Sequence, residues 1–238
     1  MLIVRNLSKS YGKKKVLENL TTSFDEKGIS VIVGANGSGK TTFLNTITSL
    51  TKADQGEVKI GDLFLESLDF KKHIFYVPSD FFLPEYMTGS EYGSFIMKRY
   101  PNGDYEMFKF LFNTLGLSDI NGKLIESYSF GMKKKISIAA GLSVQPKYLL
   151  ADEPFSGLDF ESTLLVQNIF EIFGKKRKIV VISHEPSTLT RFPNDIRLMR
   201  EGALIPFTGS PNELTHIIEK EGPLHEKLDR VQKYFDPS

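Results

Sequence analysis

The sequence contains no cysteine. That single absence excludes disulfides, thiolate zinc sites and cysteine nucleophiles, and it fits a reducing compartment. Long apolar runs are missing as well. The most apolar stretch, "ISIAAGLSV" from Ile136 to Val144, falls far below the roughly 20 residues that a membrane-spanning helix needs, so no direct insertion into a bilayer is expected. The opening "MLIVRNLSKSYG" holds too short an apolar run for a secretion signal, and Arg5 interrupts it. Net charge is close to nil. The 30 Lys and Arg against 29 Asp and Glu leave a formal +1, which argues against nucleic acid as a partner. Repeats and low-complexity segments are absent too.

What is present is an ordinary globular composition, 40% hydrophobic and 25% charged over 238 residues, enough for one domain or one domain with an inserted subdomain. Three basic runs, Lys13–Lys15, Lys133–Lys135 and Lys175–Lys178, read as solvated faces and turns. Short β-like runs alternate with amphipathic helices, which predicts an α/β layered fold. "ISVIVG" reads as a buried strand feeding a helix that starts near Gly39, and "GEVKIGDLFL" and "IFYVP" read as further strands. From Gly89 to Ser143 the character turns helical. Phe108, Leu111, Phe112 and Leu115 fall on one helix face, with Gly116 as terminator. "YLLADEP" and "KIVVISHE" return as apolar strands ending in polar residues. The helix between them is expected to bury Leu165, Ile169, Ile172 and Phe173.

The stretch "VIVGANGSGKTT" carries the first chemistry. Gly34 to Thr41, taking in Asn36, Gly37, Ser38, Gly39 and Lys40 and followed by Thr42, fits G-x-x-x-x-G-K-[ST]. Its glycines let successive backbone N–H groups turn inward onto phosphate oxygens, and the helix that follows presents its positive end to the same anion. Lys40 is placed to reach the β- and γ-phosphates, and the Thr41 hydroxyl to ligate Mg²⁺. Asp152 closes an apolar strand where a carboxylate can hold Mg²⁺, and Glu153 beside it can act as general base on an attacking water. His184, in "VISHE", ends a third strand. Together these residues specify hydrolysis of a nucleoside triphosphate.

Their order and company resemble the ATP-binding cassette (ABC) ATPases, from about Leu2 to about Leu214. Tyr11 in "LSKSYGKKKVL" matches the aromatic that stacks on adenine. "YSFGMKKKISIAAGL" matches the family signature, "LLADEPFSGLD" combines the Mg²⁺ aspartate and catalytic glutamate with a loop ending at Asp159, and "ISHE" matches the switch histidine. The resemblance implies a P-loop NTPase core, RecA-like with a mostly parallel sheet, an N-terminal antiparallel β subdomain and an inserted helical subdomain over about 80–144. The ATPase domain would then cover 1–214, followed by a helical tail over 215–238. It further implies that Ser129 and Gly131 face ATP held by a second such subunit, identical or related. Separate transmembrane permease subunits would hold the chain at the inner, cytoplasmic face of the cell membrane. Docking is expected near "PSDFFLPEYMTGSEYGSF", where Phe81, Phe82, Tyr86 and Tyr92 either form an apolar docking surface or pack inside the helical subdomain.

The sequence departs from the family pattern in two places. Ser79 stands where the family has a glutamine that senses Mg²⁺ and the partner; a serine still reaches the ion directly or through water, and Asp80 is the alternative ligand. Phe130 replaces one of two consecutive signature glycines, and Met132 stands at the following glutamine position. The leading function is the ATPase subunit of a membrane transporter, with export favoured because the region after Ser79 resembles export cassettes. The alternative is a soluble ABC ATPase acting as an assembly or scaffold factor. A GTPase or P-loop kinase fits worse, since no Asn-Lys-x-Asp guanine reader exists and Glu153, the signature and His184 would go unexplained.

Overall fold

The computed structural model describes residues 1–80, 82–210, 212–214, 217, 227, 230–232, 234 and 235. The helical tail expected over 215–238 falls, isolated positions aside, outside the described residues, as does Phe81.

The near-continuous apolar runs in the middle of the chain form a sheet buried on both faces, as parallel strands demand. β3 (Gly28–Val33), β6 (Ile74–Val77), β7 (Tyr148–Asp152), β8 (Lys178–Ile182) and β9 (Ile196–Arg200) are parallel, and β10 (Ala203–Phe207) closes one edge antiparallel to β9. The order across the sheet is β10-β9-β3-β8-β7-β6. The pleat sorts the side chains into two cores. Val31, Leu149, Ala151, Ile179 and Val181 face one way, onto Val166 and Phe170 of α6 (Phe160–Gly174) and Ile136 and Ala139 of α5 (Phe130–Ser143). Ile32, Leu150, Val180 and Ile182 face the other, onto Phe43, Leu44 and Ile47 of α1 (Lys40–Ile47).

That second core is roofed by an antiparallel sheet. β1 (Leu2–Tyr11) and β2 (Lys14–Phe24) form a hairpin, and β4 (Gln55–Ile60) and β5 (Leu63–Phe64) complete the order β2-β1-β4-β5. Leu2, Val4, Leu7, Leu17, Leu20 and Phe24 turn inward onto α1. The stretch "GEVKIGDLFL" thus divides into two strands that turn at Gly61, and the short α2 (Leu68–Lys71) leads on to β6.

Between β6 and β7 the chain leaves the sheet for α3 (Gly89–Met97), α4 (Tyr105–Thr114) and α5. Each helix opens on a side-chain cap: Thr88 in a reciprocal capping box with Glu91, Asp104 accepting from the Met107 N–H, and Ser129 accepting from the Met132 N–H. The face predicted for α4 is the buried one, and Gly116 ends it with φ 75°. Gly93 lets α3 approach α4, because a Cβ there would strike the Phe108 ring.

Two expectations, on α6 and on the basic runs, need correction, and the open choice at Tyr92 is decided. On α6 the buried stripe is Val166 and Phe170, with Leu165, Ile169 and Phe173 only partly covered and Ile172 exposed. The helix is turned by about one residue, so its apolar side wraps past the sheet contact. Tyr92 is buried inside the helical subdomain, leaving Phe82 (92% exposed) and Tyr86 (76% exposed) as the described members of that expected surface that are exposed. Finally, two of the three basic runs are not wholly solvated. Lys134 and Lys178 are both buried, because the helix and strand they occupy turn one lysine of each run inward.

Lys178 is matched by Asp195, 3.3 Å away, which also accepts from Arg197 and from the Ser30 hydroxyl. Burial pushes the Asp195 carboxyl up, but the bonds from Arg197 and Ser30 and the charges of Arg197 and Lys178 outweigh it and hold it below its ordinary value. Its contribution is therefore complete above the unfolded carboxylate pKa and is lost as pH falls through the lower folded value. Asp195→Ala leaves Lys178 buried without this partner and is expected to cost about 2–3 kcal/mol, read as a lower denaturant midpoint at neutral pH.

Candidate functional site

The ends of β3, β7 and β8 lie side by side, so the polar residues that terminate them meet in one cleft. Tyr11, Asn36, Gly37, Gly39, Lys40, Thr41, Thr42, Ser79, Asp152, Glu153 and His184 line it, with a volume of ≈ 360 Å³.

After Val33 the chain must reverse within a few residues to start α1 over the strand ends. Gly34, Gly37 and Gly39 supply φ values of 150°, 79° and 105°. At Gly34 a Cβ would collide with the Met199 carbonyl oxygen, so no other residue fits. Lys40 is the first residue of α1 and is almost fully buried. Its ammonium donates to the Gly34 and Ala35 carbonyls at 2.8 and 3.0 Å. Burial lowers its pKa, while the Glu153 and Asp152 charges oppose the shift. The Ser38 hydroxyl is buried within this loop with no hydrogen-bond partner, an orphaned polar atom of the kind an anion's oxygen would satisfy.

One residue on, the Thr41 hydroxyl donates to Asp152 over 2.7 Å. Tyr76 on β6 reaches the same carboxylate oxygen at 3.5 Å, and burial raises the Asp152 pKa against these bonds. Among the described residues no group of three His, Cys, Asp or Glu side chains could hold a metal alone. A hydroxyl beside one carboxylate would suit a Mg²⁺ that took its other ligands from phosphate oxygens and water, and Ser79 also lines the cleft.

Glu153 follows Asp152 with a left-handed φ of 47°, a conformation that costs a non-glycine residue energy and is found at functional sites. Its carboxylate lies 3.2 Å from His184 Nε2. Burial, reinforced by the Asp152 charge, pushes the Glu153 carboxyl up to about 7. Burial and the Lys40 ammonium push the His184 imidazole down. The pair is a carboxylate poised to take a proton beside a largely neutral imidazole.

Ser129, Gly131 and Asp159 stand apart from this cleft. Ser129 caps α5 at the surface, and Met132 takes the reciprocal capping position through its sulfur. A Cβ at Gly131 would come within 2.7 Å of the Gly157 carbonyl, and the Phe130 ring lies over Gly157. Asp159 caps α6 through Ser162 and sits 3.7 Å from the Lys135 ammonium. The signature turn and the loop after Glu153 are thus one packed unit. Lys134 and Tyr76, both close to Asp152, escaped the sequence reading. One is hidden in a run of lysines and the other in an ordinary strand, and neither is a residue type that marks a site by itself.

The family model described as ABC transporter matches residues 17–156. The lantibiotic transport ATP-binding protein SrtF of Streptococcus pyogenes is 29% identical, over 89% of this chain and 93% of that protein. The arginine transport ATP-binding protein ArtM of Bacillus subtilis is 28% identical, over 90% and 92%. Among solved structures, an ATP-binding subunit of an ABC transporter superposes with a TM-score of 0.80 over 97% of this chain and 98% of its own, at 22% identity. A dimeric ATP-binding cassette bound to ADP and Pi gives 0.72 over 86% and 96%, at 23% identity.

Lys40→Ala removes the ammonium from the glycine loop and is expected to weaken nucleotide binding by roughly 10- to 100-fold, measured by titration with a fluorescent ATP analogue. Unchanged affinity would dissociate Lys40 from the phosphates.

Proposed function

The chain belongs to the ABC transporter family as one of its ATP-binding ATPase subunits, and we propose that it powers an export system by closing on a second such subunit around ATP and reopening after hydrolysis. The observation that carries this reading is the meeting of Lys40, Thr41, Asp152, Glu153 and His184 in one cleft while Ser129, exposed at the start of α5, and Gly131 beside it lie apart from that cleft. Each chain then holds two unlike halves of a site.

In this reading the loop N–H groups and Lys40 hold the triphosphate, and Tyr11, half-exposed at the cleft mouth, stacks on the base. Thr41 and Asp152, with Ser79 nearby, would hold Mg²⁺, which when bound neutralises charge on the phosphate oxygens. Glu153 accepts a proton from the water that attacks the γ-phosphorus, and the bond to the β-phosphate oxygen breaks to give ADP and phosphate. His184 keeps the Glu153 carboxylate aimed. A second chain brings Ser129 and the N–H groups at the start of its 14-residue α5 to the exposed side of the triphosphate. Asp159 would steady that approach through its packing with the signature turn. Loss of phosphate removes the shared anion, and the chains part.

An apolar groove between the sheet core and the helical insertion supports a membrane partner. Leu50, Phe70, Pro78, Phe82, Leu83 and Tyr100 line it, with Leu50 and Phe82 largely exposed. Among the described residues no helix is long and apolar enough to cross a membrane; in this reading separate permease subunits span it, and one of their cytoplasmic segments would fill the groove. An ATPase without such a partner would leave this surface uncovered. Export is the direction favoured by the character of the stretch after Ser79.

Glu153→Gln is expected to keep ATP bound while turnover falls by about a thousandfold or more, so that a dimer accumulates with ATP and Mg²⁺ in light scattering. A variant that stays monomeric at high concentration would defeat the paired-subunit reading. Phe82→Asp is expected to lower the membrane-bound fraction of the native complex; an unchanged fraction would place the docking surface elsewhere.

A further inference from the structure

Lys134 lies in the second turn of α5 and is completely buried. An ammonium is costly to remove from water unless its donors are satisfied. Here they are. The Nζ donates to the carbonyl oxygens of Pro78 at 3.2 Å, Ser79 at 3.4 Å and Asp152 at 3.5 Å. It also sits 5.6 Å from the centre of the Phe130 ring, within cation–π range. The charges that face it are those of Asp152, Glu153 and Asp80.

These acceptors belong to two different segments. Pro78 and Ser79 follow β6 and line the groove and the cleft respectively, while Asp152 ends β7 and holds Thr41. Lys134 itself belongs to the helix that starts at Ser129. One side chain therefore joins the signature helix, the Ser79 loop and the cation side of the nucleotide cleft. It does so through main-chain oxygens, so the short reach of the Ser79 side chain does not matter to the connection. A displacement of α5 relative to the sheet core draws the ammonium off all three carbonyls, and no other described lysine of the run replaces it: Lys133 pairs with Glu85 and Lys135 with Asp159.

We propose that Lys134 is a positioning residue that locks the signature helix to the Ser79 loop and the end of β7, so that the two halves of the site carried by one chain move together. The proposal rests on the use of Ser129 and Gly131 at a second chain's ATP.

The test uses Lys134→Met, which keeps the length and apolar stem but removes the donors, and Lys134→Arg, which keeps the charge. ATP affinity, the separate values of kcat and KM, and ATP-driven dimer formation in the Glu153→Gln background are measured on the full chain. For Lys134→Met we expect ATP affinity within about threefold of the parent, kcat lower by about tenfold or more, and the ATP-driven dimer lost, with substantial recovery in Lys134→Arg. If kcat and dimer formation are unchanged, the proposal is overturned. It is overturned equally if affinity, KM, kcat and melting temperature decline together, the mark of a packing role alone. Should Lys134→Met fail to fold, Lys134→Gln, whose shorter amide cannot span all three carbonyls, is read against the same outcomes. Glu153→Gln with Lys134 intact separates the two claims: if it does not dimerise with ATP, the paired-subunit reading falls and this proposal with it. If it dimerises and the double variant does too, only the role of Lys134 falls.

Discussion

The hydrogen bond from the Thr41 hydroxyl to the Asp152 carboxylate, 2.7 Å long, ties the first turn of α1 to the end of β7 across the intervening β8. For it to exist the chain must reverse between Val33 and Lys40, which is why glycines with positive φ occupy that loop. The sheet order must also place β3, β8 and β7 side by side, and both faces of those strands must be covered so that their ends are fixed. The alternating side chains of β3, β7 and β8 meet the last condition by feeding two separate cores. The cleft is a consequence of the packing beneath it.

The helical insertion is fastened to that cleft at a few polar points as well as by apolar packing. Lys134 reaches the carbonyls at the ends of two strands, Lys135 approaches Asp159, and Phe130 covers Gly157. Polar fastenings are directional, and they fail together when geometry shifts, whereas apolar surfaces slide.

Much of this was legible in the sequence. The glycine loop, Asp152 and Glu153 follow from residue types whose spacing has a physical reason, and the face of α4 follows from its period. Other features were illegible for equally physical reasons. The rotation of α6 about its own axis depends on how far its surface wraps past the sheet, which no periodicity records. The burial of Lys134 and Lys178 is set by which way a helix and a strand turn one lysine among several, and composition reads all of them as solvated. Tyr76 contributes through a neighbouring strand's end, a relation that exists only once the strands are ordered. The departures at Ser79 and Phe130 stand out as mismatches of letters. In three dimensions the one lines the cleft and the other lies against the loop after Glu153.

The left-handed backbone at Glu153 has a further consequence. Glycine or asparagine would rest there at lower energy, so the fold alone would prefer either to a carboxylate. With Glu153 as the proposed base, folding and turnover pull in opposite directions at this residue. A laboratory selection for heat tolerance that did not also demand hydrolysis would drift away from glutamate at 153, and under the proposed role the sturdier molecule would grip its ligand without turning it over.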